Sequence, residues 1–278
     1  MEIVLDDPIL ALDYIARLIS LAVVISSSEL LVLNKKGEFS TTGAWSWAVV
    51  SASVGPRLDT LNFLYSNKYS FPTLIWFRLT LSILIIFLGL EAAVSPVIVL
   101  SLFTVQLLLN MRIIWGDDGS DQMLSICLGA LLFTSIFNTN ENIKVLCLGF
   151  VAAQLALSYF SSGAAKLFGK EWRNGTALSK VLSHYSYGNE NLSNILSQHP
   201  LVGKFASYGV MVFQLSFPLY FVLPYDLAVI YLIMGFFFHF SIACIMRLNG
   251  FLFTFCAGYP ALIYMYFFIH QGSSFKLW

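Results

Sequence analysis

Lys166 closes a long apolar run, in the stretch YFSSGAAKL from Tyr159 to Leu167, after which the chain turns abruptly polar as FGKEWRNGTALSKVLSHYSYGN. A charged amine beside hydrocarbon is costly, so such a position favours the neutral form, which can take a proton from a substrate. A lysine at a helix end can equally snorkel, laying its stem along apolar surface and leaving its ammonium among lipid headgroups. Position alone leaves both readings standing, a general base and an interfacial anchor.

Three further places carry chemistry-bearing side chains. Arg78 lies inside WFRLTLSILIIF with about two helical turns of apolar sequence before it. An arginine at that depth pairs with a carboxylate or carbonyls, or contacts an anion or substrate. His239, deep in GFFFHFSIAC, must be buried neutral or hydrogen-bonded, and a satisfied core histidine is its plain reading. Asp117, Asp118 and Asp121 crowd the segment RIIWGDDGSDQ. They could bind a cation, handle protons or orient a substrate, or simply follow a turn made by Gly116 and Gly119, with Ser120 or Asp121 capping the next helix. Asp13 and Arg17 are spaced to pair on one helix face, whereas Glu29, after Ser26, Ser27 and Ser28, has no local partner. Cys127, Cys147, Cys244 and Cys256 fall in apolar runs without C-x-x-C spacing, so neither a zinc site nor a disulfide framework is expected. No G-x-S-x-G, H-E-x-x-H or phosphate-binding glycine loop occurs, which leaves hydrolase, zincin and nucleotide-driven readings without support.

The elements that must position these residues are membrane helices. Apolar residues make up 58% of the 278, charged residues only 11%, and mean hydropathy is +0.78, beyond any ordinary soluble domain. The fold class expected is an all-α polytopic membrane bundle. Windows of about 20 apolar residues fall near 11–33, 71–93, 95–115, 122–138, 145–167, 202–223, 227–246 and 250–269, giving about eight helices in one domain over 1–278. AWSWAVVSASV, between Gly43 and Pro56, has the length and tryptophans of an interfacial or re-entrant helix. Thr176 to Tyr185 suits a short amphipathic helix on the membrane surface. The acidic start MEIVLDDPIL lacks the basic region of a signal peptide, so the first run is expected to remain as a helix. Fifteen basic and fifteen acidic residues balance, and nothing argues for nucleic acid as a partner. An eight-helix arrangement puts both long connections, with Lys35, Lys36, Arg57, Lys68, Lys170, Arg173, Lys180 and Lys204, on one face, cytoplasmic by the positive-inside rule.

Several motifs in order resemble the horizontally transferred transmembrane domain family, which includes the vitamin K-dependent gamma-carboxylases. They are Gly163, Lys166, Leu167, Trp172 and Gly175 in the Lys166 region, YGVMVFQLSFPLYFVL at 208–223, FFFHFSIACIMRLNGFLFTFCAGYP at 236–260, and the polar turn RIIWGDDGSDQML. GDDGSDQ and EWRNGTAL are also similar to a bacterial branch associated with maturation of a sporulation-delaying peptide toxin, a bacteriocin. The resemblance implies that Lys166 matches a base that deprotonates a reduced quinone of the vitamin K or menaquinol type. His239 then matches a quinone-pocket histidine, with Gln214, Arg78 and Trp172 expected around the cofactor and Asp121 beside the chemistry. Gln214 stands where relatives commonly carry Asp or Glu, and Asp121 near a position where the carboxylase has a catalytic histidine. A counterpart of the carboxylase's large luminal region is missing from the 278 residues, and the loop chemistry there faces the lumen, opposite to the charge-based orientation. The function expected is a bacterial membrane enzyme that modifies a secreted peptide or protein, with a partner subunit conceivable. The alternative is a non-enzymatic immunity or chaperone factor, or a small transporter.

Overall fold

The computed structural model describes residues 7–54, 61–67, 69–113 and 119–270. Pro56, Arg57, Lys68, Gly116, Asp117 and Asp118 lie outside them. The described residues form α1 (Pro8–Lys35), α2 (Trp47–Val54), α3 (Asn62–Tyr65), α4 (Ser70–Leu88), α5 (Ser95–Arg112), α6 (Gly119–Ile136) and α7 (Glu141–Phe168). They continue with α8 (Lys170–Asn174), α9 (Ala177–Leu182), α10 (Glu190–Gln198), α11 (Pro200–Ser216), a 3-10 helix (Phe217–Phe221), α12 (Tyr225–Met246), α13 (Asn249–Ala257) and α14 (Tyr259–His270). No strand occurs among them. The protein is an all-α, integral, multi-pass membrane protein.

Among the described residues seven helical stretches are long and apolar enough to span: α1, α4, α5, α6, α7, α12, and α13 with α14 taken together. The eighth window, 202–223, folds differently from a continuous span. Its α-helix stops at Ser216 after 17 residues and continues as a 3-10 turn containing Pro218, because proline has no N–H for the α-helical ladder. Hydropathy cannot register this change, since Phe217, Leu219 and Phe221 keep the run apolar. Gly258 interrupts the last span in the same way, with Pro260 at the start of α14.

Local sequence sets the two longest helices. Asp7 caps α1, its carboxylate accepting from the Ile9 N–H at 2.9 Å ahead of Pro8 at the first turn. Asn140 caps α7 in the same manner at 3.3 Å. Each helix has 28 residues, about 42 Å at 1.5 Å per residue, longer than a hydrocarbon layer of about 30 Å. The C-terminal turn of α7, with Lys166, therefore stands near one interface. α1 lies at the centre, with Ala11, Leu12, Ile15, Ala16, Ile19, Ala22 and Val23 buried against α4, α6, α7, α13 and α14. Arg17 donates from Nε to Asp13 at 2.7 Å, the pair expected from their spacing, and Asp13 also accepts from the Leu90 N–H at 2.6 Å. The pair thus ties α1 to the end of α4. α12 is peripheral and presents Ile233, Met234, Phe237 and Phe240 outward, as a lipid-facing helix must.

α7 and α11 approach closely at Gly163. A β-carbon there would sit 2.8 Å from the backbone nitrogen of Leu215, and backbone cannot swing aside as a side chain can. Gly163→Ala is expected to destabilise the protein by about 1–3 kcal/mol through overpacking. Gly209→Ala on α11 meets nothing within 4 Å and should be neutral or slightly stabilising, since glycine inside a helix is unfavourable. Thermal unfolding of both variants in one detergent checks the contrast; equal shifts would refute the close crossing.

Candidate functional site

Along α7, Tyr159, Ser162 and Lys166 recur at spacings that share one helix face. That face looks into a cavity of about 320 Å³. The Lys166 amine donates to Ser162 Oγ at 2.5 Å and reaches the Ser162 carbonyl at 3.4 Å. It also lies 5.1 Å from the Trp172 ring centroid, within cation–π range. Trp172 is brought there by the short α8, which ends at Gly175 in the left-handed region, φ 80°. A β-carbon at Gly175 would lie 2.6 Å from Lys204 Cα, so only glycine lets this turn fold against α11. Leu178 and Val181 of α9 complete the roof. Gln214 of α11, Phe238, His239, Ile242 and Met246 of α12, and Phe251 and Phe255 of α13 form the remaining walls.

Polar atoms of Gln214 and His239 in this cavity have no hydrogen-bond partner among the described residues. His239 is only 2% exposed, and neither ring nitrogen has a hydrogen-bond partner. Its ring stacks on Phe255 at 4.3 Å and lies 5.5 Å from that of Tyr159. Gln214 Oε1 is likewise buried without a partner among the described residues, while Tyr159 is fixed by stacking on Phe217 at 4.0 Å. The Tyr159 and Tyr259 hydroxyls interact with each other, both falling within 3.0 Å of where a β-carbon of Gly235 would be. Buried polar atoms are ordinarily hydrogen-bonded, and here the orphans of Gln214 and His239 belong to residues lining one hollow. Lys166 has no carboxylate partner either. Lys144 pairs with Glu141 at 2.7 Å and Lys180 pairs with Glu171, whereas no ion pair among the described residues includes Lys166. His239 makes no hydrogen bond among the described residues, and the Lys166 amine is half-buried beside Trp172.

Arg78 and Asp121 are not brought to Lys166. They line a second cavity of about 310 Å³ formed by α1, α4, α5, α6 and the α12–α13 turn. Leu248 and Phe251 line both hollows and form the wall between them. The C-terminal ends of α1, α5, α7 and α12 and the N-terminal ends of α6 and α13 meet around these cavities, so both belong to the same end of the bundle. Arg247, in the dividing turn, has φ 60°, a left-handed conformation costly for a residue with a β-carbon. Among the described residues no group of three metal-ligating side chains could hold a metal ion.

Tyr159, Ser162, Phe251 and Phe255 do not stand out in the sequence as site residues. For Tyr159 and Ser162 a signal exists in their positions seven and four residues before Lys166. Phe251 and Phe255 have none, since a phenylalanine in an apolar helix reads as packing. Comparison with known protein families, curated proteins and solved structures finds no match to this chain.

Proposed function

We propose that the Lys166 cavity is the active site of a membrane enzyme in which Lys166 acts as general base toward a hydroxyl of a planar, membrane-dissolved quinol, and that the enzyme modifies a secreted peptide. The observation that carries this reading is the convergence of an amine lacking a carboxylate partner with orphaned polar atoms of Gln214 and His239 in an aromatic hollow. These residues fit a quinol. Flat apolar faces suit Tyr159, Phe251 and Phe255, while Gln214 Oε1 can accept from one hydroxyl and a His239 nitrogen can bond the ring's other oxygen. A bound quinol would supply reducing equivalents.

The protein's own part is binding and proton handling. Lys166 Nζ takes the hydroxyl proton, and the resulting ammonium is held by Ser162 Oγ and the Trp172 ring, partners that stabilise it without a fixed negative charge. Leu178 and Val181 supply apolar lining on the α9 side of the hollow. The peptide substrate and a bacterial cell membrane as its setting rest on the motif resemblance, with GDDGSDQ and EWRNGTAL pointing to peptide-toxin maturation.

Mass spectrometry of peptides secreted by cells that carry or lack the protein tests the proposal. One peptide is expected to differ in mass between the two, and the difference should vanish when quinone synthesis is blocked. Identical spectra would remove the enzymatic reading in favour of an immunity or chaperone role.

A further inference from the structure

The outer surface beside the Lys166 roof is basic and apolar at once. Between Leu167 and Tyr208 four cations, Lys170, Arg173, Lys180 and Lys204, stand against two carboxylates, Glu171 and Glu190. Lys180 is taken by Glu171, whereas no ion pair among the described residues includes Lys170, Arg173 or Lys204. All three are exposed. Lys170 and Arg173 stand three residues apart on α8 and share one face of it. The turn at Gly175 brings Lys204 to them: a β-carbon at Gly175 would lie 2.6 Å from Lys204 Cα, and the Tyr208 hydroxyl donates to the Arg173 carbonyl at 3.3 Å. α8 and α11 are thereby packed together, with these cations along one rim.

Large apolar side chains flank this rim. Phe168, two residues before Lys170, is 81% exposed, and Leu201 and Phe205, four residues apart on α11 with Lys204 between them, are 71% and 77% exposed. Surface of this kind is unfavourable in water and belongs in the outer hydrocarbon of a bilayer, which sets the neighbouring cations at the depth of lipid phosphates. The opposite end of the bundle carries the other sign. Asp7, Glu91 and Asp226 are exposed there, while Arg17 is paired with Asp13 and Lys144 with Glu141. We propose that the rim docks an anionic phospholipid of one leaflet, its headgroup on Lys170, Arg173 and Lys204 and its acyl chains along Phe168, Leu201 and Phe205. A zwitterionic lipid carries its own cation beside the phosphate and competes poorly for three unpaired charges. An acidic peptide would answer the cations and leave the apolar row uncovered. The docking does not depend on the chemistry at Lys166.

The 278-residue chain, purified in detergent, is titrated with palmitoyl-oleoyl phosphatidylglycerol and with the phosphatidylcholine of the same chains, and bound lipid is counted by native mass spectrometry. Each cation near a membrane surface contributes about fivefold toward an anionic lipid. Phosphatidylglycerol is therefore expected to bind roughly tenfold or more tightly than phosphatidylcholine, with the preference falling at high salt. Combining Lys170→Gln, Arg173→Gln and Lys204→Gln should reduce it to about twofold or less. These positions are exposed, so the variant should keep its thermal midpoint in phosphatidylcholine. Lys35→Gln with Lys36→Gln removes two exposed cations at the end of α1 and should retain the full preference. Glycerol phosphate, an anion without acyl chains, should not compete. Equal affinity for the two lipids, a preference that survives the triple variant or disappears in the Lys35 and Lys36 variant, or competition by glycerol phosphate would each overturn the assignment.

Discussion

Lys166→Met is expected to fold, insert and lose product formation by about 10²–10⁴-fold, the contribution of a positioned general base. Methionine keeps an unbranched stem along the α7 face and removes only the group that touches Ser162 Oγ and Trp172. Lys166→Arg should fail equally. A guanidinium stays protonated at any physiological pH, so it preserves the charge an anchor needs while abolishing the function a base needs. The pair of variants therefore separates the two roles open to a lysine at a helix end. A cavity of about 320 Å³ also has room for a small amine once the side chain is cut back, so added alkylamine should partly restore a Lys166→Ala variant. Turnover is compared between purified proteins of matched thermal stability. Near-normal turnover in Lys166→Met or Lys166→Arg would rule out the base.

Different parts of this arrangement were legible in the sequence to different degrees, for physical reasons. Burial in lipid demands long apolar runs, so the helices can be read from hydropathy. The Asp13–Arg17 pair follows from helical spacing, and α9 (Ala177–Leu182) falls within the surface helix expected at 176–185. The break at Ser216 could not be read from hydropathy, because a 3-10 turn of phenylalanines is as apolar as a span. Arg78 was visible as an anomaly, yet its partners Ser26 and Gln106 come from helices 52 and 28 residues away. The sequence reading put Arg78 and Asp121 in one site with Lys166; they line a separate hollow, with Leu248 and Phe251 lining both. A partition of two apolar side chains has no sequence signature, since nothing distinguishes a residue facing two cavities from one facing lipid. His239 was equally ambiguous. Only the packing of Phe238, Phe251, Phe255 and Tyr159 around it shows that its nitrogens lack partners.

That lack leads to the second prediction, in which stability and function move in opposite directions. Leaving a polar group buried and unpaired costs about 1–3 kcal/mol, and His239 carries two such nitrogens. His239→Leu removes them while filling a similar volume. It also forfeits the ring stacking on Phe255 at 4.3 Å, worth about 0.5–1.5 kcal/mol. Desolvation wins, so the variant should be more stable than the unaltered protein by roughly 1 kcal/mol in the absence of ligand. With a naphthoquinone analogue the order should reverse. A ligand at 100 times its dissociation constant adds about 2.7 kcal/mol to the protein that binds it, and His239→Leu should lose most of that gain along with product formation. Thermal unfolding with and without the analogue measures both terms. A His239→Leu protein less stable than its parent without ligand would mean that the imidazole serves packing, and the orphaned nitrogens would no longer mark a binding site.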